Sequence, residues 1–278
     1  MAERWQLDPA PLGVGLALYG CVLLLGAYLW HRIVLHLAGR HPFWRGAQVY
    51  AVAMAVRRVP GAPWGVVSRV YTYHKAGYSW GLPLTASVLE VGASGLAGVA
   101  LSGLLLAAQP GMVPASGWLG VVLAIAASPL LLHTSTLNRA LRALGRVANP
   151  SFELPETIPL RSMAGWVGIS AVVWLLRGIV LFCVIVALAP VQPAVLPVLR
   201  ALVIAGSACI LIIFLPSGFG VLELLLAALL SADLPQSTAV AAPLVTRLLT
   251  TMADALFAGL AVLFGNLGDV KGSEPQHH

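Results

Sequence analysis

The chain has 278 residues, of which 59% are hydrophobic and only 9% are charged, and its formal net charge is +6. Soluble domains normally carry about 25% charged residues, so this composition excludes an ordinary soluble protein. A helix needs about 20 residues to cross a bilayer, so the length predicts an all-α, polytopic membrane bundle with about six to eight spans. We expect residues 1–270 to form a single membrane domain and residues 271–278 to be a linker and tag remnant. The basic residues cluster in loops, as membrane topology requires, so no nucleic-acid partner is expected.

The first half contains two apolar spans separated by a semi-polar stretch. Residues 12–37 form the first span, and residues 82–107 form another that contains Glu90. Between them, residues 46–76 include the sequence VRRVPGAPWGVVSRVYTYHKAG, which is too charged to face lipid. Proline removes a backbone donor and glycine adds backbone freedom, so Pro60 and Gly61 interrupt this stretch. It is predicted to form either a re-entrant hairpin or two helices at the membrane interface.

The second half contains a second interrupted segment. Spans are predicted at 118–133, 162–189, 195–215 and 237–264. The end of the span at 195–215 leads into the interrupted segment, residues 211–230. This segment reads LIIFLPSGFGVLELLLAALL, and the residues that interrupt it are Pro216, Ser217, Gly218 and Gly220. In hydrocarbon, such a break is tolerated only where protein or a wet cavity satisfies the freed backbone groups. The fold therefore includes broken or re-entrant segments near 57–75 and 211–230.

The two breaks suggest an internal repeat. Pro60 precedes Glu90 by 30 residues, and Pro216 precedes Arg247 by 31 residues. Interrupted helices at matching places in two halves are typical of transporters built from inverted repeats. The alternative is that membrane helices are simply rich in glycine and proline.

Loop charges predict the orientation of the chain. The loops at 31–45 and 134–161 are basic, whereas those at 108–117 and 189–195 carry no charge. Positively charged loops stay in the cytoplasm. We therefore expect a multi-pass protein of the inner (plasma) membrane, with the two basic loops on the cytoplasmic side.

Ionisable and aromatic residues around the breaks form a candidate site for a lipid headgroup. Charges at membrane depth are costly and usually functional, and arginine suits phosphate because its planar fork donates two parallel hydrogen bonds. The candidate residues are Arg57, Arg58, Trp64, Arg69, Tyr73, Glu90, Glu223, Arg247 and Asp254. The alternatives are ion pairs that fix helix packing, a positive-inside flank and an aromatic belt. No catalytic, nucleotide-binding or metal-ligand motif occurs, so no catalytic residue, metal or cofactor is predicted.

The same residues carry a family resemblance. The segments RRVPGAPWGVVSRVYTY, ASVLEVGASG, LPSGFGVLE and AAPLVTRLLTTMADALF resemble the lysylphosphatidylglycerol synthase transmembrane-region family, whose members are often called flippase-like membrane proteins. The likeness covers about residues 50–264, and Ser217 stands where the family pattern has glycine. It implies a helical membrane domain that moves or accommodates lipids. Larger members add a soluble aminoacyl transferase, and no soluble segment of that length occurs here, so we expect no aminoacyl transfer by this chain alone.

We therefore expect a lipid transporter of the flippase-like type in a prokaryotic cell envelope. Its cargo would be an anionic or aminoacylated phospholipid, or a lipid-linked sugar such as a polyprenyl-phosphate sugar, held in a polar intramembrane cavity between the two breaks. Its partners would be membrane lipids and, in one alternative, a glycosyl- or aminoacyl-transferase to which it presents the lipid as a membrane subunit or enzyme. A further alternative is a membrane scaffold that transports nothing.

Overall fold

The computed structural model describes residues 8–59, 63–108, 158–188, 193–211 and 220–264. These residues form eight helices and no strand: α1 (Pro9–Ala38), α2 (Phe43–Val56), α3 (Trp64–Lys75), α4 (Gly81–Ala107), α5 (Leu160–Leu188), α6 (Val195–Leu211), α7 (Val221–Leu230) and α8 (Gln236–Phe264). Among them, α1, α4, α5 and α8 are long and apolar enough to cross a membrane. The predicted all-helical membrane bundle is thus confirmed. The span predicted at 118–133 and most of the loop at 134–161 lie outside the described residues.

Local sequence sets the ends of α1. The Asp8 side chain caps its start by accepting a hydrogen bond from the backbone N–H of Ala10 at 3.0 Å, and Pro9 occupies the first turn, where no N–H is needed. Gly39, with φ of 73°, ends the helix and donates its N–H to the Leu35 carbonyl at 2.9 Å. This left-handed conformation costs glycine little, so the chain turns sharply before α2.

Helices α2 and α3 form a re-entrant hairpin. At 1.5 Å per residue they are about 21 and 18 Å long, shorter than the hydrocarbon core of roughly 30 Å. Arg58, just after α2, contacts Tyr19 in the interior of α1, whereas Tyr73, near the end of α3, returns to His41 in the turn after α1. The hairpin therefore opens at the end of the bundle where α1 ends, and its tip reaches the middle. This packing favours the predicted re-entrant hairpin over two helices at the membrane interface.

Helices α6 and α7 form a second hairpin. Arg200, near the start of α6, lies 3.8 Å from a carboxylate oxygen of Asp233, which follows α7. The beginning of α6 and the end of α7 are therefore at the same end of the bundle. Their connection, residues 212–219, lies outside the described residues. Pro216, Ser217 and Gly218 of the predicted break fall within it, just as Pro60 and Gly61 fall outside the described residues at the first tip.

The two hairpins open at opposite ends because α1 and α5 are antiparallel. The backbone N–H of Asp8, before α1, donates to the Ala187 carbonyl near the end of α5 at 3.1 Å. At the other end, the His36 ring lies 5.5 Å from the Trp166 ring near the start of α5. Each hairpin follows its long helix directly in the chain, so opposite directions of α1 and α5 place the hairpins at opposite ends.

Helix contacts repeat between the two halves. Helices α1–α4 and helices α5–α8 follow the same order of long, short, short and long. When each helix is replaced by its counterpart in the other half, the contacting pairs map onto one another: α1·α2 onto α5·α6, α2·α8 onto α6·α4, and α4·α5 onto α8·α1. This exchange, with α1 antiparallel to α5, defines an inverted repeat with its pseudo-twofold axis in the membrane plane. The repeat suggested by the sequence is therefore present in the described helices.

Apolar packing fills both ends of the bundle. One buried cluster, which includes Trp30, Ile33 and Tyr50, surrounds the first hairpin. A second cluster, which includes Leu181 and Leu230, joins α5 and α8 to the second hairpin.

We expect Gly26→Ala to destabilise the protein, because Gly26 lets α1 approach the Tyr50 side chain on α2. A Cβ at position 26 would overlap the Tyr50 hydroxyl, which is buried. Overpacking of this kind typically costs about 1–3 kcal/mol. The measurement is thermal unfolding of the detergent-solubilised protein. Gly20→Ala, where a Cβ meets nothing within 4 Å, is the matched control, and equal melting temperatures of the two variants would contradict the packing described here.

Candidate functional site

A polar triad fastens the tip of the first hairpin to α8. Asp254, which is fully buried in α8, accepts hydrogen bonds from Tyr19 Oη at 2.9 Å and from Arg58 Nε at 2.7 Å. Arg58 Nη2 also donates to Tyr19 Oη at 3.2 Å. An unpaired carboxylate is expensive at this depth. The triad satisfies Asp254 with one cation and one hydroxyl, and it joins α1, α2 and α8.

An ion pair joins the second arm of the same hairpin to the next span. Arg69 on α3 donates through Nη1 to Glu90 Oε2 at 2.5 Å and lies 3.4 Å from Ser87 Oγ, both on α4. Its guanidinium also lies over the Trp30 ring, 3.9 Å from the ring centroid, which adds a cation–π interaction. The residue is buried, and its Nε and Nη2 groups make no hydrogen bond within the described structure. Arg69 therefore retains unused donors beside a neutralising carboxylate.

Two further arginines lie beside the triad without an ion-pair partner in the described structure. Arg57, at the end of α2, is exposed, yet it is close enough to Tyr19, Tyr50 and Asp254, on three helices, to interact electrostatically with each. Arg177, within α5, is partly buried and interacts in the same way with both tyrosines.

The second hairpin carries its own ion pair. Arg247 on α8 donates through Nη1 to Glu223 Oε1 in the first turn of α7, where the helix dipole favours a carboxylate. Gly220 precedes α7 with φ of 92°, a left-handed conformation that glycine adopts without strain. The second carboxylate oxygen of Glu223 is buried and makes no hydrogen bond within the described part of the chain. The pair thus fixes α7 to α8 as Arg69 and Glu90 fix α3 to α4.

A hydrogen-bonded chain at the open end of the first hairpin leads to the Arg69 pair. Trp30 Nε1 donates to Tyr73 Oη at 3.0 Å, and a second hydrogen bond of 2.9 Å joins the Tyr73 hydroxyl to His41 Nε2. Burial, together with His31 and Arg45 nearby, lowers the pKa of His41 from 6.5 to about 4. Tyr73 therefore supports Trp30, on whose ring Arg69 lies.

The structure arranges most of the predicted site residues into pairs. Arg69 lies with Glu90, Arg247 with Glu223, and Arg58 with Asp254. The first and third pairs hold the two arms of the first hairpin, since Arg58 follows α2 and Arg69 lies on α3. Trp64 is exposed and has no described contact with the arginines.

Several residues of the site were not predicted to belong to it. Tyr19, Trp30, Tyr50 and Ser87 contact or surround the arginines through side chains from other helices. Tyr19 and Trp30 occur in the apolar run of the first span without a motif, so nothing in the sequence distinguishes them, whereas Ser87 belongs to the segment ASVLEVGASG that carries the resemblance. Arg177 could have been recognised from the sequence, because it is a cation inside a predicted span.

These features define a class: a polytopic membrane protein with an inverted repeat, two re-entrant hairpins and buried ion pairs at membrane depth. The family model described as "Lysylphosphatidylglycerol synthase TM region" matches residues 2–258. The chain therefore belongs to that family and is an integral membrane protein connected with lipids. No curated protein matches the chain.

We expect Glu90→Gln to destabilise the protein by about 3–5 kcal/mol, since removing one partner of a buried ion pair leaves an uncompensated charge. Adding Arg69→Met to this variant removes that charge and should recover part of the loss. The measurement is a double-mutant cycle on unfolding free energy, with the same substitutions made singly and together. Additive effects of the two substitutions would show that the Arg69 and Glu90 side chains are not coupled.

Stability should fall as the pH is lowered from about 6.5 to about 4. The pKa of His41 is lowered in the folded protein, so the unfolded chain takes up a proton more readily over this range. His41→Gln keeps a hydrogen-bonding partner for Tyr73 but does not titrate, so its melting temperature should depend less on pH. His74→Gln, at an exposed histidine, is the control. A wild-type pH dependence in His41→Gln would exclude His41 as its source.

Proposed function

We propose that this protein is a lipid transporter of the flippase-like type, in which the two hairpins admit a lipid headgroup while its tails stay in the bilayer. The observation that carries the proposal is the inverted repeat, with hairpins that open at opposite ends and reach toward the middle. Transporters commonly bind substrate at the midplane between inverted repeats, where discontinuous helices meet. Family membership supports lipid as the cargo.

Arginines at the first hairpin tip provide the chemistry for a phosphate headgroup. Guanidinium groups bind phosphate through paired N–H donors, and Arg57, Arg58 and Arg69 all lie within or beside this hairpin. Asp254 and Glu90 hold two of them in defined positions. A phospholipid phosphate or the phosphate of a lipid-linked sugar would meet this cluster.

The charge distribution supports one orientation. The basic loop at 31–45 lies at the end of the bundle where the first hairpin opens, and positively charged loops stay in the cytoplasm. The first hairpin would then open toward the cytoplasm of an inner (plasma) membrane, and the second toward the outside. A headgroup would move between the two openings.

A second function is lipid presentation to a partner transferase. The description of the family refers to the transmembrane region of a synthase, which supports such a partnership. In that case the protein would hold the headgroup for another enzyme without moving it across the membrane. Co-purification of a glycosyl- or aminoacyl-transferase, together with no lipid movement by the purified chain, would favour this role over transport.

The test is lipid movement in proteoliposomes containing tail-labelled fluorescent phosphatidylglycerol. Dithionite bleaches only the outer leaflet, so a transporter increases the bleached fraction above that of protein-free vesicles. Glu223→Gln and Arg247→Ala release the second hairpin from α8 and should slow movement about tenfold, the effect of a barrier change of about 1.4 kcal/mol. Arg40→Gln, at an exposed loop position, should behave as the wild type.

Equal bleaching by the wild type and by protein-free vesicles, for every lipid tried, would reject transport. Equal rates for all variants would instead leave transport standing and remove the Glu223 pair from it. Before reconstitution, size-exclusion profiles of each variant must match that of the wild type, so that lost movement is not confused with lost fold.

A further inference from the structure

We infer that Arg69 binds the phosphate of a lipid headgroup through one edge of its guanidinium group, the edge formed by Nε and Nη2. This inference rests on the proposed function and deepens it, because it assigns the phosphate contact to one edge of one arginine. It also separates Arg69 from Arg58, whose corresponding edge is occupied within the protein. The ligand chemistry is a pair of non-bridging phosphate oxygens, which every phosphodiester headgroup carries.

The nitrogens of Arg69 differ in what they contact. Nη1 donates to Glu90 Oε2 at 2.5 Å and lies 3.4 Å from Ser87 Oγ. Nε and Nη2 make no hydrogen bond among the described residues, and both atoms are buried in a residue that is only 4% exposed. The Nε–H bond and one N–H bond of Nη2 point in the same direction. They form a fork that fits two oxygens of one phosphate.

Arg58 uses the same edge of its guanidinium within the protein. Its Nε donates to Asp254 Oδ2 at 2.7 Å, and its Nη2 donates to Tyr19 Oη at 3.2 Å. The triad that joins α1, α2 and α8 therefore occupies this fork. The described residues thus satisfy the fork of Arg58 but not that of Arg69, so the two arginines have different chemical roles.

The free fork of Arg69 has a defined direction. The guanidinium lies 3.9 Å from the centroid of the Trp30 ring, and the Trp30 indole is in turn fixed by its hydrogen bond to Tyr73. Contact with the Trp30 ring on one side and with Glu90 at Nη1 holds the guanidinium group in place. A preorganised pair of donors loses little entropy on binding. Buried charged donors without an acceptor are costly, so a phosphate that supplies two acceptors is bound favourably.

Helix α3 is the part of the hairpin that can uncover this fork. Arg69 and Tyr73 are the buried residues of α3, whereas α2 buries seven of its residues. Both of these α3 side chains contact Trp30. Polar contacts rather than an apolar face therefore hold α3 in place, and elements with few buried apolar contacts open most easily. A shift of α3 uncovers the fork without unpacking the apolar core.

Lipid binding in detergent tests the inference, with Arg69→Lys as the decisive variant. Lysine keeps a cation for Glu90 but presents a point charge instead of a fork. The probes are short-chain phosphatidylglycerol and the diacylglycerol with the same chains, titrated separately and followed by the rise in melting temperature. We expect the wild type to bind phosphatidylglycerol at least about tenfold more tightly than diacylglycerol, and Arg69→Lys to lose at least about tenfold of that affinity, as expected for lost hydrogen bonds to a charged group.

Glu90→Gln should act in the opposite direction. It removes the negative charge beside the fork and leaves Arg69 uncompensated, so phosphatidylglycerol should bind about tenfold more tightly than to the wild type. The lipid should also restore part of the stability that this variant lacks without ligand. Arg40→Gln, at an exposed loop position, should bind as the wild type does. Each affinity is measured relative to the same variant without lipid, so a purely structural role for Arg69 would not produce opposite changes.

Three results would overturn the inference. The first is wild-type protein that binds phosphatidylglycerol no more tightly than diacylglycerol. The second is equal affinity of the wild type and Arg69→Lys for phosphatidylglycerol. The third is Glu90→Gln that binds this lipid no more tightly than the wild type.

A headgroup phosphate and free phosphate present the same oxygens, so inorganic phosphate is titrated as well. Acyl chains add apolar contact, so a lipid site predicts that inorganic phosphate binds at least about tenfold more weakly than phosphatidylglycerol. Equal or tighter binding of inorganic phosphate would assign the fork to a soluble anion and overturn the lipid assignment.

Failure of this inference differs from failure of transport. If phosphatidylglycerol binds through Arg69 but no lipid moves in proteoliposomes, the phosphate contact stands and the transport proposal falls. If lipids move and Arg69→Lys binds phosphatidylglycerol as tightly as the wild type does, transport stands and the assignment of Arg69 falls.

Discussion

The cost of charge at membrane depth is the constraint on which this fold depends. Lipid provides little hydrophobic force between helices, so a short helix that does not span needs other contacts to keep its place. Each hairpin meets this need with an ion pair between its second arm and the long helix that follows, Arg69 with Glu90 and Glu223 with Arg247. The charges of the ion pair are reversed between the halves, because α3 supplies the arginine in one half and α7 supplies the glutamate in the other. The repeat thus preserves the ion pair but not which helix carries its arginine.

The two halves share a backbone plan but differ in chemistry at the place where the hairpin approaches the opposite half. At the first tip, Arg58 reaches Asp254 on α8 with help from Tyr19. Where α6 approaches α4, α5 contributes a hydrogen bond from Trp174 Nε1 to the Ser94 carbonyl at 2.9 Å, beside closely packed small residues. The first contact is ionic and the second is mainly steric. Among the described residues, the ionic contact with the opposite half is therefore at the first hairpin, even though the architecture is nearly symmetrical.

Much of the fold could be predicted because hydropathy and helix-breaking residues act locally. The long spans follow from apolar length, and the proline–glycine interruptions mark hairpins since a broken helix needs protein around it. The partners of the charges could not be predicted in the same way. Tyr19 and Asp254 lie 235 residues apart and meet only because α1 and α8 are neighbours. Helical periodicity places a residue on a face, but it does not say which helix that face will meet.

Ion pairs of this kind also bear on how the hairpins change partners. Desolvation offsets much of the attraction within a buried pair, so the net stabilisation is small although breaking one partner is costly. If a hairpin exchanges its intramolecular carboxylate for a lipid phosphate, its arginine stays paired throughout. Under the proposed function, Arg58 and Arg69 would remain paired during that exchange, whereas Asp254 and Glu90 would each lose an ion-pair partner. Apolar packing around Trp30 and Leu181 would keep the long helices in place. The same pairs that hold the hairpins in this structure would then let a headgroup compete for them.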